Sequence, residues 1–238
     1  MKFETRLIKG TLIKRYKRFL ADVKLENGEI VTAHCTNSGT MKSCLEDGAD
    51  VYLSPAKDPN RKTKFTWEMI QINGDWVGIN TMNPNKFAFE EISADRIAGL
   101  TGYTFVKREV KYKDSRFDIM TEKEGETCFI EVKNVTLNED GIAKFPDAVT
   151  TRGLKHLQTL MDVKENGMRA VMLYIIQRMD VNHFEPARDI DPDYARKLLE
   201  AHKKGVEIIP LQVKVTPEEI VSHKILHYIL EPEITENV

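Results

Sequence analysis

The sequence predicts two folds joined end to end: a small antiparallel β-barrel over residues 1–80 and an α/β domain with a mixed sheet over residues 81–238. Three observations lead there. Before Asn80 the chain reads as short strand candidates separated by Gly, Asn, Asp and Pro turn signals. After it, helical and strand periods alternate. A length of 238 residues allows two small domains or one large one.

The composition, 41% hydrophobic and 30% charged, is that of an ordinary globular chain and excludes a fibre or a disordered tail. The longest apolar run, residues 170–176, falls far short of the ~20 residues a membrane helix needs. Residues 1–6 lack the apolar centre of a signal peptide. Cys35, Cys44 and Cys128 form no zinc spacing. Reduced thiols, a cytoplasmic protein and no zinc site are expected. The net charge of −2 hides an asymmetry, because residues 1–80 sum to +3 and the rest to −5. An acidic partner is therefore expected at the N-terminal domain.

The strand candidates of the first domain are 6–13, 18–25, 29–35, 49–54, 65–72 and 76–80. Asn27-Gly28, Asp47-Gly48, Pro55 with Pro59, and Asn73-Gly74 supply the turns. Phe65, Trp67 and Met69 alternate with Thr66 and Glu68, the period of a half-buried strand. Strands of this number and length suit an OB-like barrel, and an SH3-like barrel fits nearly as well.

In the second domain Asn83 and Pro84 stand as N-cap and N1 of a helix over 83–99, with a break near Ser93. Strands follow at 103–112, 116–121 and 127–133. Thr150 or Thr151 caps a helix to about Lys164, whose apolar stripe is Leu154, Leu157, Leu160 and Met161. Residues 169–177 read as a buried strand, Asp191-Pro192 as the start of a helix ending at Gly205, and 206–213 as a strand. Thr216-Pro217 is expected to open a C-terminal helix.

The chemistry is concentrated in 115–133, SRFDIMTEKEGETCFIEVK. A turn over 122–126 makes the flanking strands antiparallel neighbours. Strand alternation puts Phe129, Glu131 and Lys133 on one face, and Asp118 on the neighbouring strand can share it. Two converging carboxylates beside a lysine outline a site for an oxygen-liganded cation such as Mg²⁺. Such an ion activates water and offsets charge on a phosphodiester transition state, with the Lys133 ammonium beside it. An exposed Glu–Lys pair would be an ordinary solvated face, but the apolar neighbours Phe129, Ile130 and Val132 argue for a buried strand, where unpaired charge is costly. Glu90 and Glu91, in an otherwise apolar helical stretch, offer a third carboxylate.

Asp118 followed by Glu131-Val132-Lys133 within α-β-β-β-α-β resembles the PD-(D/E)xK nuclease superfamily. More specifically, the chain resembles the sugar fermentation stimulation protein family, through RYKRFLADV (15–23), HCTNSGTM (34–41), KFTWE (64–68), VGINT (77–81), SRFD (115–118), IEVKNVTL (130–137) and FPDAVTTRGLKHL (145–157). The resemblance implies an OB-like N-terminal domain, a restriction-endonuclease-like C-terminal domain and non-specific DNA binding. It puts Asp118, Glu131 and Lys133 on the catalytic motif, with Glu90 completing a metal set of Glu90, Asp118 and Glu131. Glu91 is the alternative third carboxylate.

Other residues point toward nucleic acid. Lys14, Arg15, Lys17 and Arg18 interleave with Tyr16 and Phe19, a pattern that can track phosphates and stack a base, and Arg61, Lys62 and Lys64 add charge. Arg152 and Lys155 lie on the first turns of a helix, where an anion can dock. His156 reads equally as part of that dock or as a hydrogen-bonded surface histidine. Asp147 is a turn residue or a carboxylate supporting the site. The turn at Asn37-Ser38-Gly39 could hold an anion on its N–H groups. The expected function is non-specific binding of DNA, or of RNA, with an Mg²⁺- or Mn²⁺-dependent phosphodiesterase site. The alternative is a DNA-binding regulator linked to sugar metabolism that keeps the metal site without turnover.

Overall fold

The structure, a computed structural model, describes residues 1–231. β1 (Ile8–Tyr16), β2 (Leu20–Leu25), β3 (Ile30–His34), β4 (Asp50–Pro55), β5 (Phe65–Ile72) and β6 (Asp75–Gly78) pair in the order β3-β2-β1-β4-β5-β6. A parallel pairing, Ala33↔Phe65 and His34↔Thr66, joins β3 to β5 and closes the OB-type barrel. Leu12, Val23, Ala33, Val51, Leu53 and Trp67 fill it. β1 extends past its apolar pattern to Tyr16, and Lys17 and Arg18 (φ 49° and 63°) make the turn into β2. The first residues leave the barrel: Lys2 bridges Glu219, and the Phe3 N–H donates to the Glu218 carbonyl at 3.1 Å. They therefore pair with the second domain rather than with residues 6–80.

The second domain continues with α1 (Asn83–Ser93), β7 (Phe105–Tyr112), β8 (Ser115–Lys123), β9 (Glu126–Val135), β10 (Leu137–Glu139), β11 (Ile142–Phe145), α2 (Thr151–Glu165), β12 (Arg169–Ile176), β13 (His183–Pro186), α3 (Pro192–Lys203), β14 (Glu207–Val215), β15 (Ile220–Ile225) and β16 (His227–Tyr228). Its main sheet runs β15-β14-β12-β9-β8-β7. β9, β12 and β14 are parallel and the outer strands antiparallel, so the sheet is mixed. Helix α1 covers one face through Phe87, Ala88 and Ile92. Helices α2 and α3 cover the other through Leu157, Leu160, Met161, Tyr194 and Leu198. Each of the Phe, Ile, Leu and Met side chains among these contributes about 1.5–3 kcal/mol on removal from water.

Three expectations change. The helix expected after Thr216-Pro217 is a hairpin. The Thr216 hydroxyl accepts the Glu219 N–H at 3.1 Å, as a helix cap would, but the Thr216 N–H donates to the Glu219 carbonyl at 2.9 Å, and β15 returns along β14. Asn83 does not cap α1; its amide donates to the buried Glu68 carboxylate at 2.9 Å. A second sheet, β10-β11-β13-β16, was not anticipated, because strands of two to four residues carry no readable period.

The two domains are locked together. Arg178, 1% exposed, donates through Nη1 to the Thr136 carbonyl at 2.6 Å and to the Ser43 hydroxyl at 3.1 Å. The Gly78 N–H donates to the Gln177 carbonyl at 3.0 Å. The Thr40 N–H donates to Asp147 Oδ2 at 2.9 Å, so a carboxylate of the second domain occupies the turn read as an anion holder. No helix among the described residues is long and apolar enough to cross a membrane.

Candidate metal centre

The β8–β9 hairpin creates the centre. Glu124 and Gly125 (φ 40° and 81°) take the left-handed conformations that a two-residue hairpin loop needs. The ladder then runs from Lys123↔Glu126 to Ile119↔Ile130 and stops one residue short of Asp118. Instead of a ladder bond, the Val132 N–H donates to Asp118 Oδ2 at 2.8 Å. Asn85, in the first turns of α1, donates to Oδ1 at 2.7 Å. On the other side Glu109 of β7, held at φ 54°, stands opposite Asp118, between the pairs Arg108↔Ile119 and Val110↔Phe117. A left-handed non-glycine inside a strand is strained, and such strain clusters at functional sites.

Glu131, 2% exposed, points from β9 toward α2. Lys133 Nζ donates to its Oε1 at 2.7 Å, and His156 Nδ1 contacts the same oxygen. Arg152 Nε lies 3.4 Å from His156 Nε2. The network is satisfied when Nδ1–H donates to Glu131 and Nε2 faces Arg152. Among the described residues, Glu131 Oε2 is buried with no partner. Burial pushes the Glu131 carboxyl up, but His156 and Lys133 outweigh it and hold it below the ordinary range. Asp118 is pushed up to about 6, first by burial and then by the Glu131 charge. An orphaned buried oxygen beside a second carboxylate that resists ionisation is a site a divalent cation fits, since the cation would satisfy the first and favour the charged form of the second.

The third carboxylate is a correction. Glu90 does not join Asp118 and Glu131: no cluster of three His, Cys, Asp or Glu ligands occurs among the described residues. Glu90 lies 3.9 Å from Lys86, along the helix. Asn85 is the α1 residue that meets Asp118, and five residues on, at ~100° per residue, Glu90 projects from a different side. Glu91 is buried but committed to Arg96, at 2.6 Å, and to Ser222. Mg²⁺ commonly binds through one or two carboxylates and keeps several waters, so two carboxylates suffice. His156 is the residue that sequence reasoning undervalued. It is 7% exposed rather than superficial, and its spacing from Leu157 and Leu160 on the apolar stripe was the available signal.

The residues expected to meet nucleic acid separate into fixed and free groups. Arg15 donates to the Arg18, Asn37 and Gly39 carbonyls at 2.9–3.0 Å, bracing the barrel's own loop. The Tyr16 hydroxyl donates to Asp22 at 3.0 Å. Arg61 and Lys64 donate to the Thr63 and Pro59 carbonyls. Lys155 pairs with Asp114 at 2.9 Å. Among the described residues, Lys17, Arg18 and Lys62 are exposed cations with no side-chain partner, and Phe19 is 50% exposed. Arg18 and Arg61 line different cavities.

Comparison with known proteins agrees with both halves. The model for the sugar fermentation stimulation protein RE domain matches residues 82–219, and that for the SfsA N-terminal OB domain matches residues 13–79. A sugar fermentation stimulation protein homolog of Paramagnetospirillum magneticum is 49% identical over 222 residues, covering 92% of this chain and 94% of its own. One of Geobacter sulfurreducens is 49% identical over 215 residues, covering 90% and 92%. Pyrococcus furiosus SfsA, solved in complex with Ca²⁺, superposes with a TM-score of 0.87 at 27% identity, covering 96% of this chain and 98% of that one. An OB barrel, a mixed α/β sheet and relatives aligned along nearly all of its length make this chain a member of the sugar fermentation stimulation protein family.

Proposed function

We propose that the protein binds DNA and hydrolyses its phosphodiester bonds with Mg²⁺ or Mn²⁺ held by Asp118 and Glu131. The observation that carries this reading is the buried Oε2 of Glu131, unpartnered among the described residues, beside an Asp118 carboxyl that burial pushes up. The Pyrococcus furiosus relative was solved in complex with Ca²⁺, a cation that also takes oxygen ligands, which supports a divalent ion in this family. When bound, the metal supplies an activated water and charge neutralisation at the phosphate. Asn85 and the Val132 N–H orient Asp118. His156 orients Glu131 through Oε1, leaving Oε2 for the ion. Lys133, anchored on Glu131, presents its ammonium where negative charge develops on the transferring phosphoryl group.

The test incubates purified protein with DNA in Mg²⁺, Mn²⁺ or EDTA. Cleavage should need the metal and disappear in Asp118→Asn. Lys133→Met, which keeps most of the side-chain volume, should retain metal binding and lose ~10²–10³ in rate. Equal cleavage by wild type and Lys133→Met would assign the activity to a contaminant. The lack of a third carboxylate among the described residues favours a second reading, metal-assisted DNA binding without turnover. Mg²⁺-dependent binding with intact strands in every arm would select it.

A further inference from the structure

Between the barrel and the second domain lies a cleft of about 510 Å³, lined by Arg18 and Ser38 on one wall and by Thr136, Lys144 and Val149 on the other, with Asn134 also on its lining. We propose that this cleft takes an unpaired polynucleotide strand, so that the substrate is a single-stranded segment or tail rather than intact duplex. The inference rests on the nuclease reading for its chemistry, but not for its binding.

Size is the first ground. Cavities of about 300–1,000 Å³ hold ligands of drug size, which suits one or two nucleotides and not a stacked duplex. The walls are also fixed. Arg178 is bound to Ser43 of the barrel and to Thr136 on the lining, and the Thr40 N–H holds Asp147, so widening the cleft would break these interdomain hydrogen bonds.

Chemistry is the second ground. The one acid on the lining, Asp147, has Oδ2 occupied by Thr40, whereas Arg18 is exposed and without a side-chain partner among the described residues. Val149, 71% exposed and next to the lining residues Phe145, Pro146 and Ala148, offers an apolar surface to an unstacked base. Lys17 beside Arg18, and Arg152 two residues beyond the lining Thr150, extend the cationic track past the cavity. That track fits a chain of phosphates rather than a lone nucleotide.

Position is the third ground. Asn134 follows Lys133 on β9, with its side chain on the other face of the strand. Thr150 caps α2, the helix that carries His156. Thr81, also on the lining, precedes α1, whose Asn85 holds Asp118. The cleft therefore opens at the ends of the segments that hold the carboxylates. Unpairing a base from a duplex costs a few kcal/mol, and a strand that is already single avoids that cost.

Fluorescence anisotropy in EDTA, where no cleavage occurs, tests binding alone. A fluorescent oligodeoxynucleotide, the matching oligoribonucleotide, the blunt duplex and a mononucleotide are compared on the full chain. Either single strand should bind at least tenfold tighter than the duplex, and the two single-strand arms distinguish DNA from RNA. Val149→Glu and Arg18→Ala, both at exposed positions, should each lower single-strand affinity about tenfold and leave duplex affinity unchanged. Equal affinity for single strand and duplex, competition by the mononucleotide, or unaltered single-strand binding in both variants would overturn the proposal. Tight single-strand binding without metal-dependent cleavage would leave the cleft standing and remove the nuclease reading.

Discussion

Asp118→Asn should stabilise the metal-free protein. The folded carboxyl holds its proton to about pH 6, against an ordinary value of 3.8, mainly because it is buried and secondarily because Glu131 is charged. The folded state therefore binds a proton that the unfolded state has released, and stability falls as pH rises from about 4 to 6. At about pH 7.5 the full cost is present: two pKa units at 1.36 kcal/mol each, or about 3 kcal/mol. Asparagine removes that charge. It keeps one acceptor for the Val132 N–H, and Asn85 can turn its amide to pair with the new NH₂. Imperfect pairing would cost about 1 kcal/mol of the gain. The expected result is a rise of about 1–3 kcal/mol at pH 7.5 in EDTA, with roughly 2–4 °C in Tm per kcal/mol for a chain of this size. Near pH 4 the gain should vanish, leaving only the pairing cost of up to about 1 kcal/mol. Saturating Mg²⁺ should stabilise wild type by about 2.7 kcal/mol at a hundredfold excess over Kd and leave the variant unmoved. Thermal unfolding by circular dichroism at several pH values measures all of this. A variant destabilised equally at pH 4.5 and 7.5 would make Asp118 a structural acceptor and refute the metal assignment.

Glu131→Gln leaves Lys133 and His156 facing a neutral amide in a buried place, and should cost about 3 kcal/mol by urea denaturation while abolishing Mg²⁺ stabilisation. Gly39→Ala drives a Cβ into the Asp147 carboxylate and should loosen the contact between domains, at a cost of about 1–3 kcal/mol by denaturant melts. Removing Lys17 and Arg18 together should flatten the salt dependence of single-strand binding by up to about 0.7 per lost phosphate contact. Arg15→Ala, by contrast, should chiefly lower stability, since that guanidinium is spent on backbone carbonyls.

The sequence by itself determined the division into a barrel and an α/β domain, the hairpin bearing Asp118 and Glu131, the start of α2 at Thr150 or Thr151, and the cap of α3 at Asp191. Each rests on local physics: strand alternation, turn glycines and side-chain capping within a few residues. What sequence could not provide was convergence between distant segments. Barrel closure by β3 and β5 brings together residues some thirty positions apart. Asn85 rather than Glu90 reaches Asp118 because the docking of α1 chooses which of its sides faces the site, and helical period alone leaves that choice open. His156 enters the centre because α2 packs over β9, and the same packing buries an imidazole that would otherwise be solvated. The Thr216 motif shows the converse: one local hydrogen-bond pattern serves a helix cap or a hairpin, and the open edge of β14 decided for the hairpin.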